Sequence, residues 1–174
     1  MEFNILVKTQ LLPILQKYGF EILEEFKNII RFQSSVIEIN IVYNDYEKSC
    51  YISIGKKGKS LYELRNNAVK KLFNSSLSVE QVTPEIFLQN LSLLFETEEG
   101  IALLKGNIDD FIKFKKSEDN HYTSELLRKQ ALEVASRAWE ANDYLAFIES
   151  IEEIGIRKIP QSYQLKYKIA KQKL

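Results

Sequence analysis

The residues of this chain with chemical capacity are few and far apart. Gly58, Lys59 and Ser60, within "YISIGKKGKSLYEL", form the ending of a phosphate-binding loop. Such a loop needs a glycine five residues ahead of its Gly-Lys-Ser, so that the backbone wraps a phosphate while a helix N-terminus faces it. Ser53 occupies that position, inside an expected strand, and Gly55 lies too close to Gly58 for the wrap. No later βαβ unit supplies a magnesium-binding aspartate. The stretch reads as a basic turn in which Ser60 caps a following helix. His121 and Cys50 are the single histidine and the single cysteine, too few for a usual zinc site. Cys50 alternates into the apolar face of its strand, where a thiol acts as a small hydrophobe. Asp109-Asp110 and Glu98-Glu99 fall on helix surfaces without a glycine-turned calcium loop. No catalytic, metal-binding or cofactor-binding set is expected, and the chain is read as a non-enzyme.

Charge is arranged in blocks. Lys56, Lys57, Lys59, Arg65, Lys70 and Lys71 form one basic cluster, and Arg157, Lys158, Lys166, Lys168, Lys171 and Lys173 form another. Either block could meet phosphates. Between them lie Glu140, Asp143, Glu149, Glu152 and Glu153. Over the whole chain 24 basic residues balance 24 acidic ones, which gives no global pull toward nucleic acid or an anionic membrane. Solvated faces account for most of these charges. The candidates for partner binding are Glu149, Glu152 and Glu153 with the aromatic residues Trp139 and Tyr144, which serve either as packing or as partner anchors.

The elements that must position these residues follow from periodicity. Residues 3–18 space apolar side chains helically, with Pro13 predicting a kink or a late helix start near Thr9, and Gly19 a left-handed stop onto which Phe20 folds back. "NIIRFQ", "SVIEINIVY" and "SCYISIG" are β-branched, alternate with period two and are joined by short turns, which permits hairpins and excludes crossovers. The expected sheet is a three- or four-stranded antiparallel meander with helices on its apolar face. "SLYELRNNAVKKLF" predicts a helix from Ser60 with Leu61, Leu64, Ala68 and Leu72 on one stripe. "SSLSVEQVTPE" is the best linker, with Thr83-Pro84 opening a helix. "EEGIALLKGNIDDFIKFKK" predicts one helix weakened by Gly100 and Gly106, and "SEDNH" a polar loop.

The C-terminal stretch is the most regular. Leu127, Ala131, Val134, Ala135 and Ala138 are assigned to one helix face, Asn142-Asp143 to a turn and helix cap, and Tyr144, Leu145, Phe147, Ile148 and Ile151 to the facing helix. Gly155 stops that helix, and Pro160 opens a third carrying Tyr163, Tyr167 and Ala170. The pattern resembles a tetratricopeptide-type hairpin, although about one repeat is visible where solenoids need three or more. The fold class is α+β. Residues 1–76 form an α/β unit with an antiparallel sheet, and residues 84–174 an all-helical portion packed on it as one compact protein.

The N-terminus lacks the basic segment and apolar core of a signal peptide, and no apolar run reaches the ~20 residues of a membrane span, so a cytoplasmic location is expected. "LLPILQKYGFEI", the antiparallel "IIRFQSSVIEINIVYND…SCYISIG", and the tail "ALEVASRAWEANDYLAFIESIEEI" with "PQSYQLKYKIA" resemble small bacterial immunity proteins of polymorphic-toxin systems. That resemblance implies a cytosolic protein that binds another protein, with a toxin as partner, and performs no chemistry of its own. It assigns no functional residue. The alternative is a nucleic-acid-associated regulator using the two basic clusters, or a structural adaptor domain.

Overall fold

The computed structural model describes residues 2–173. The chain forms two compact units, Met1–Lys116 and Ser117–Leu174. The first opens with α1 (Phe3–Gln10) and α2 (Leu12–Gln16), separated at Leu11. Pro13 has no N–H to give to the Thr9 carbonyl, which breaks the helix there, whereas the late start near Thr9 does not occur because α1 already begins at Phe3. Gly19 takes φ 77°, and the Phe20 N–H returns to the Leu15 carbonyl at 3.3 Å, burying the Phe20 ring.

Five strands follow in sequential antiparallel order: β1 (Glu21–Phe26), β2 (Ile29–Gln33), β3 (Ile37–Asn44), β4 (Ser49–Lys56) and β5 (Tyr62–Glu63). β2, β3 and β4 are the three strands that alternation predicts. On one face the register aligns Ile30, Ile41 and Ile52 in one row and Phe32, Ile39 and Ile54 in the next, all buried. Burying such β-branched and aromatic rows, at about 25 cal/mol per Å² of apolar surface, is the main force holding the sheet. β1 is an addition: "EILEEF" carries three glutamates and no period-two pattern, and a bulge between Ile22 and Glu24 shifts its register against β2.

Beyond β4 the chain departs from expectation. Tyr62 and Glu63 pair with Ile54 and Ser53, so Ser60 caps no helix, and α3 (Asn66–Leu72) starts six residues later. Gly58 at φ 69° turns the loop back over Gly55, where a Cβ would strike the Ser60 carbonyl and lie 2.9 Å from a Leu61 methyl. The segment read as a linker is tied down. The Asn66 Oδ1 accepts from the Val79 N–H at 2.7 Å, and the Asn90 side chain donates to the Ser78 carbonyl at 2.8 Å.

Thr83 caps α4 (Pro84–Phe95), and Thr97 caps α5 (Glu98–Leu104) through the Gly100 N–H at 3.0 Å. Phe87, Leu88, Leu91, Leu94 and Phe95 of α4 complete the core of this unit. These helices therefore belong with the sheet, although sequence pattern groups them with the later helical portion. Gly106 at φ 107° splits the expected single helix into α5 and α6 (Asp109–Glu140). The expected "SEDNH" loop lies inside α6: no glycine or proline interrupts residues 107–140, and polarity alone does not stop a helix.

The second unit consists of the rest of α6, then α7 (Tyr144–Ile154), a 3-10 turn (Ile156–Lys158) and α8 (Gln161–Lys173). Asn142 at φ 57° makes the turn, the Asp143 carboxylate accepts from the Ala146 N–H at 3.0 Å, and Gly155 at φ 93° ends α7. Ala135, Phe147, Ile148, Ile151, Ile159 and Ala170 form its core. The face assigned to α6 is rotated from the expected one. Ala135 is buried and Ala138 packs beside it as expected, but Leu127 and Val134 stand 60% and 55% exposed, and Leu132 and Trp139 pack in their place. Leu145 is likewise outside the core. Among the described residues no helix is long and apolar enough to cross a membrane.

Candidate functional site

β1 forms one edge of the sheet, paired only to β2. An edge strand presents unpaired backbone donors and acceptors, the usual template for an incoming extended segment. Its side chains add apolar area: Leu23 at the bulge is 50% exposed and Phe26 56%, with Ile22 beside them partly exposed. Three carboxylates, Glu21, Glu24 and Glu25, lie on the same strand. Glu24 is bridged to Arg31 at 2.7 Å. Glu25 accepts from Lys8 at 2.9 Å and from the Asn4 amide at 3.2 Å, and these bonds, led by Lys8, hold its pKa below the usual range. Glu21 is exposed.

The outer face of the sheet continues from this edge. Its central row runs Glu24, Arg31, Asn40, Ser53, Glu63 across the five strands. A hollow of about 260 Å³ opens there, lined by Leu23, Arg31, Glu38, Asn40, Lys59 and Leu61. The Asn40 Oδ1 is buried without a hydrogen-bond partner, a cost of roughly 1–3 kcal/mol. Neither alternation nor composition marks Leu23, Phe26 or Asn40 as a surface site. The available signal was the presence of apolar residues in an acidic, non-alternating stretch immediately before the first clear strand.

The expected partner residues sit in the second unit. Glu149, Glu152 and Glu153 share one exposed face of α7. Glu152 is already engaged, accepting from the Tyr167 hydroxyl at 2.6 Å and bridging Lys171 at 3.0 Å, which lowers its pKa. Trp139 and Tyr144 meet edge to face with ring centroids 5.6 Å apart, and Trp139 also packs on Phe147 at 5.2 Å. Both aromatic rings are half-buried.

The second basic cluster is threaded through these rings. The Lys166 ammonium lies 5.3 Å from the Trp139 centroid and 5.5 Å from that of Tyr163, and Lys173 lies 4.8 Å from Tyr144. Cation–π contacts of about 0.5–1 kcal/mol each thus tie α8 to α6 and α7. In the first cluster Lys56 bridges Asp109 at 2.7 Å and Arg65 bridges Glu63 at 2.8 Å. Cys50 lies in the core, where burial, reinforced by the charge of Glu85, pushes its thiol up to about 12. His121 is exposed on α6. Among the described residues no group of three or more His, Cys, Asp and Glu stands together to hold a metal ion. Comparison with protein-family models, curated proteins and solved structures finds no significant match.

Proposed function

We propose that this chain is a non-enzymatic protein-binding protein that neutralises a bacterial toxin in the manner of an immunity protein. The observation that carries the reading is the β1 edge, where Leu23 and Phe26 are exposed beside three glutamates on a strand with one side unpaired. Apolar anchors inside a charged rim are the usual composition of a protein-binding centre. The occupant that fits is an extended basic segment of a partner. A second copy fits less well, since antiparallel self-pairing would bring the glutamates of both strands into one short ribbon, where Arg31 and Lys8 offset only Glu24 and Glu25. Toxins that act on nucleic acid carry basic clefts, and acidic surfaces speed their capture. The exposed face of α7 with Glu149, Glu152 and Glu153 is a second acidic surface available to the same partner.

The test expresses the gene immediately upstream in a sensitive host, with and without this chain. Rescue by the parent chain, lost in Leu23→Lys with Phe26→Lys, supports the reading and assigns it to β1. Rescue lost instead on charge reversal at Glu149 and Glu153 assigns it to α7. A neighbour that is harmless alone, or equally toxic in the presence of this chain, removes the immunity reading for that pair.

A further inference from the structure

We propose that the cleft between the β4–β5 loop and the first two turns of α6 binds the phosphate group of a small phosphorylated molecule of mononucleotide size. The inference is independent of the protein-binding reading. Three lysines surround the cleft: Lys56 at the end of β4, Lys59 from the loop, and Lys116 from α6. Asp109 is the single carboxylate lining it, so three positive charges face one negative charge. The Lys56–Asp109 bridge at 2.7 Å fixes one ammonium in place, and that ammonium holds the Asp109 carboxyl below its usual range. Lys59 and Lys116 are exposed and form no salt bridge among the described residues, while Glu38, which accepts from the Gly58 N–H at 3.0 Å, lines a neighbouring hollow together with Lys59. The site thus offers two ammonium groups that no salt bridge holds.

The remaining lining completes a small-molecule site. Ser60 and Tyr62 contribute hydroxyl groups, neutral donors for phosphate oxygens. Tyr62 and Ile112 are half-buried against the main core and also line the cleft, so it holds apolar as well as charged residues, which a bare phosphate would not use but a base or sugar would. The cleft measures about 340 Å³, within the size range of small-ligand sites. The site owes nothing to a phosphate-wrapping loop, because no helix follows Ser60. Its ligands are side chains brought together when β5 turns the loop toward α6. That gathering makes the Gly58-Lys59-Ser60 region basic in three dimensions, with Lys116 supplied from far along the chain.

The experiment titrates the full chain by calorimetry at constant ionic strength with adenosine 5′-monophosphate, inorganic phosphate and adenosine. Saturable binding is expected for the monophosphate and, more weakly, for inorganic phosphate, and none for adenosine. Lys59→Ala with Lys116→Ala, both at exposed positions, should weaken monophosphate binding roughly tenfold or more. Lys70→Ala with Lys71→Ala, drawn from the same basic stretch but outside the cleft, should leave it unchanged. The proposal is overturned by the absence of saturable binding up to about 10 mM, or by equal weakening in the two double variants. Binding of an oligonucleotide that is equally strong in parent and Lys59→Ala/Lys116→Ala chains, with no monophosphate binding, overturns it too.

Discussion

Two side chains on adjacent strands are buried in opposite senses. Cys50 is 7% exposed on the apolar face of β4, and burial raises its thiol to about 12. Native protein should therefore react with a thiol reagent far more slowly than urea-unfolded protein, a difference measurable by absorbance. The linkage has a definite sign. A folded pKa above the unfolded value means that stability is intact below about pH 9 and falls as pH rises toward 12, where the unfolded chain loses the proton first. Stability measured over that window should fall less steeply in Cys50→Ala than in the parent. Asn40 projects to the outer face of β3, yet its Oδ1 is shut off from water and unpaired. Asn40→Val exchanges that orphan acceptor for a β-branched side chain suited to a central strand. It should raise stability by about 1 kcal/mol in urea titrations. A loss of stability would show that the Asn40 amide is satisfied in solution.

Helix α6 shows how an element can be recognised while its buried side is misassigned. Its apolar residues near the C-terminal end support two overlapping stripes, and the position of α7 and α8 selects the one through Leu132, Ala135 and Trp139. Ala135→Leu should cost on the order of 1–3 kcal/mol by overpacking, whereas Leu127→Ser should change stability by less than about 0.5 kcal/mol. Thermal unfolding of the two variants distinguishes this face from the sequence-derived one. At the corner between α4 and α5 a different constraint operates. A Cβ on Gly100 would run into the Leu94 carbonyl and lie 2.8 Å from the Phe95 Cα. Gly100→Ala should therefore destabilise the first unit by about 2 kcal/mol or more, since backbone on backbone has little room to relax.

At the scale of the molecule, α6 contributes its first two turns to one compact unit and the rest of its length to the other, in which only its last turns pack into a core. Between them, residues 119–130 are exposed at every position. A helix without a buried face draws no stability from packing and opens locally more often than its ends. Limited trypsin digestion should therefore cut first at Arg128 or Lys129, and mass spectrometry should find a resistant fragment ending near there. Initial cleavage within the 56–71 lysine-rich stretch instead would place the weakest segment in the first unit.

Local chemistry in the sequence was enough for the α+β class, the Pro13 break, the Gly19 and Gly155 stops, the Asp143 cap and strands β2 to β4. Each of those depends on a residue's own backbone limits or on alternation along one strand. What depends on distant neighbours was not legible in the same way. β1 is a strand because β2 offers it a partner, despite three glutamates and a bulge. Ser60 caps nothing because β4 captures Tyr62 and Glu63 before a helix can start. The grouping of α4 and α5 with the sheet, the rotation of α6 about its axis, and the meeting of Lys59 with Lys116 all follow from packing between segments far apart in the chain. A sequence specifies local propensity and periodicity directly, but it specifies which of several apolar or charged faces meet only through the free energy of the assembled core.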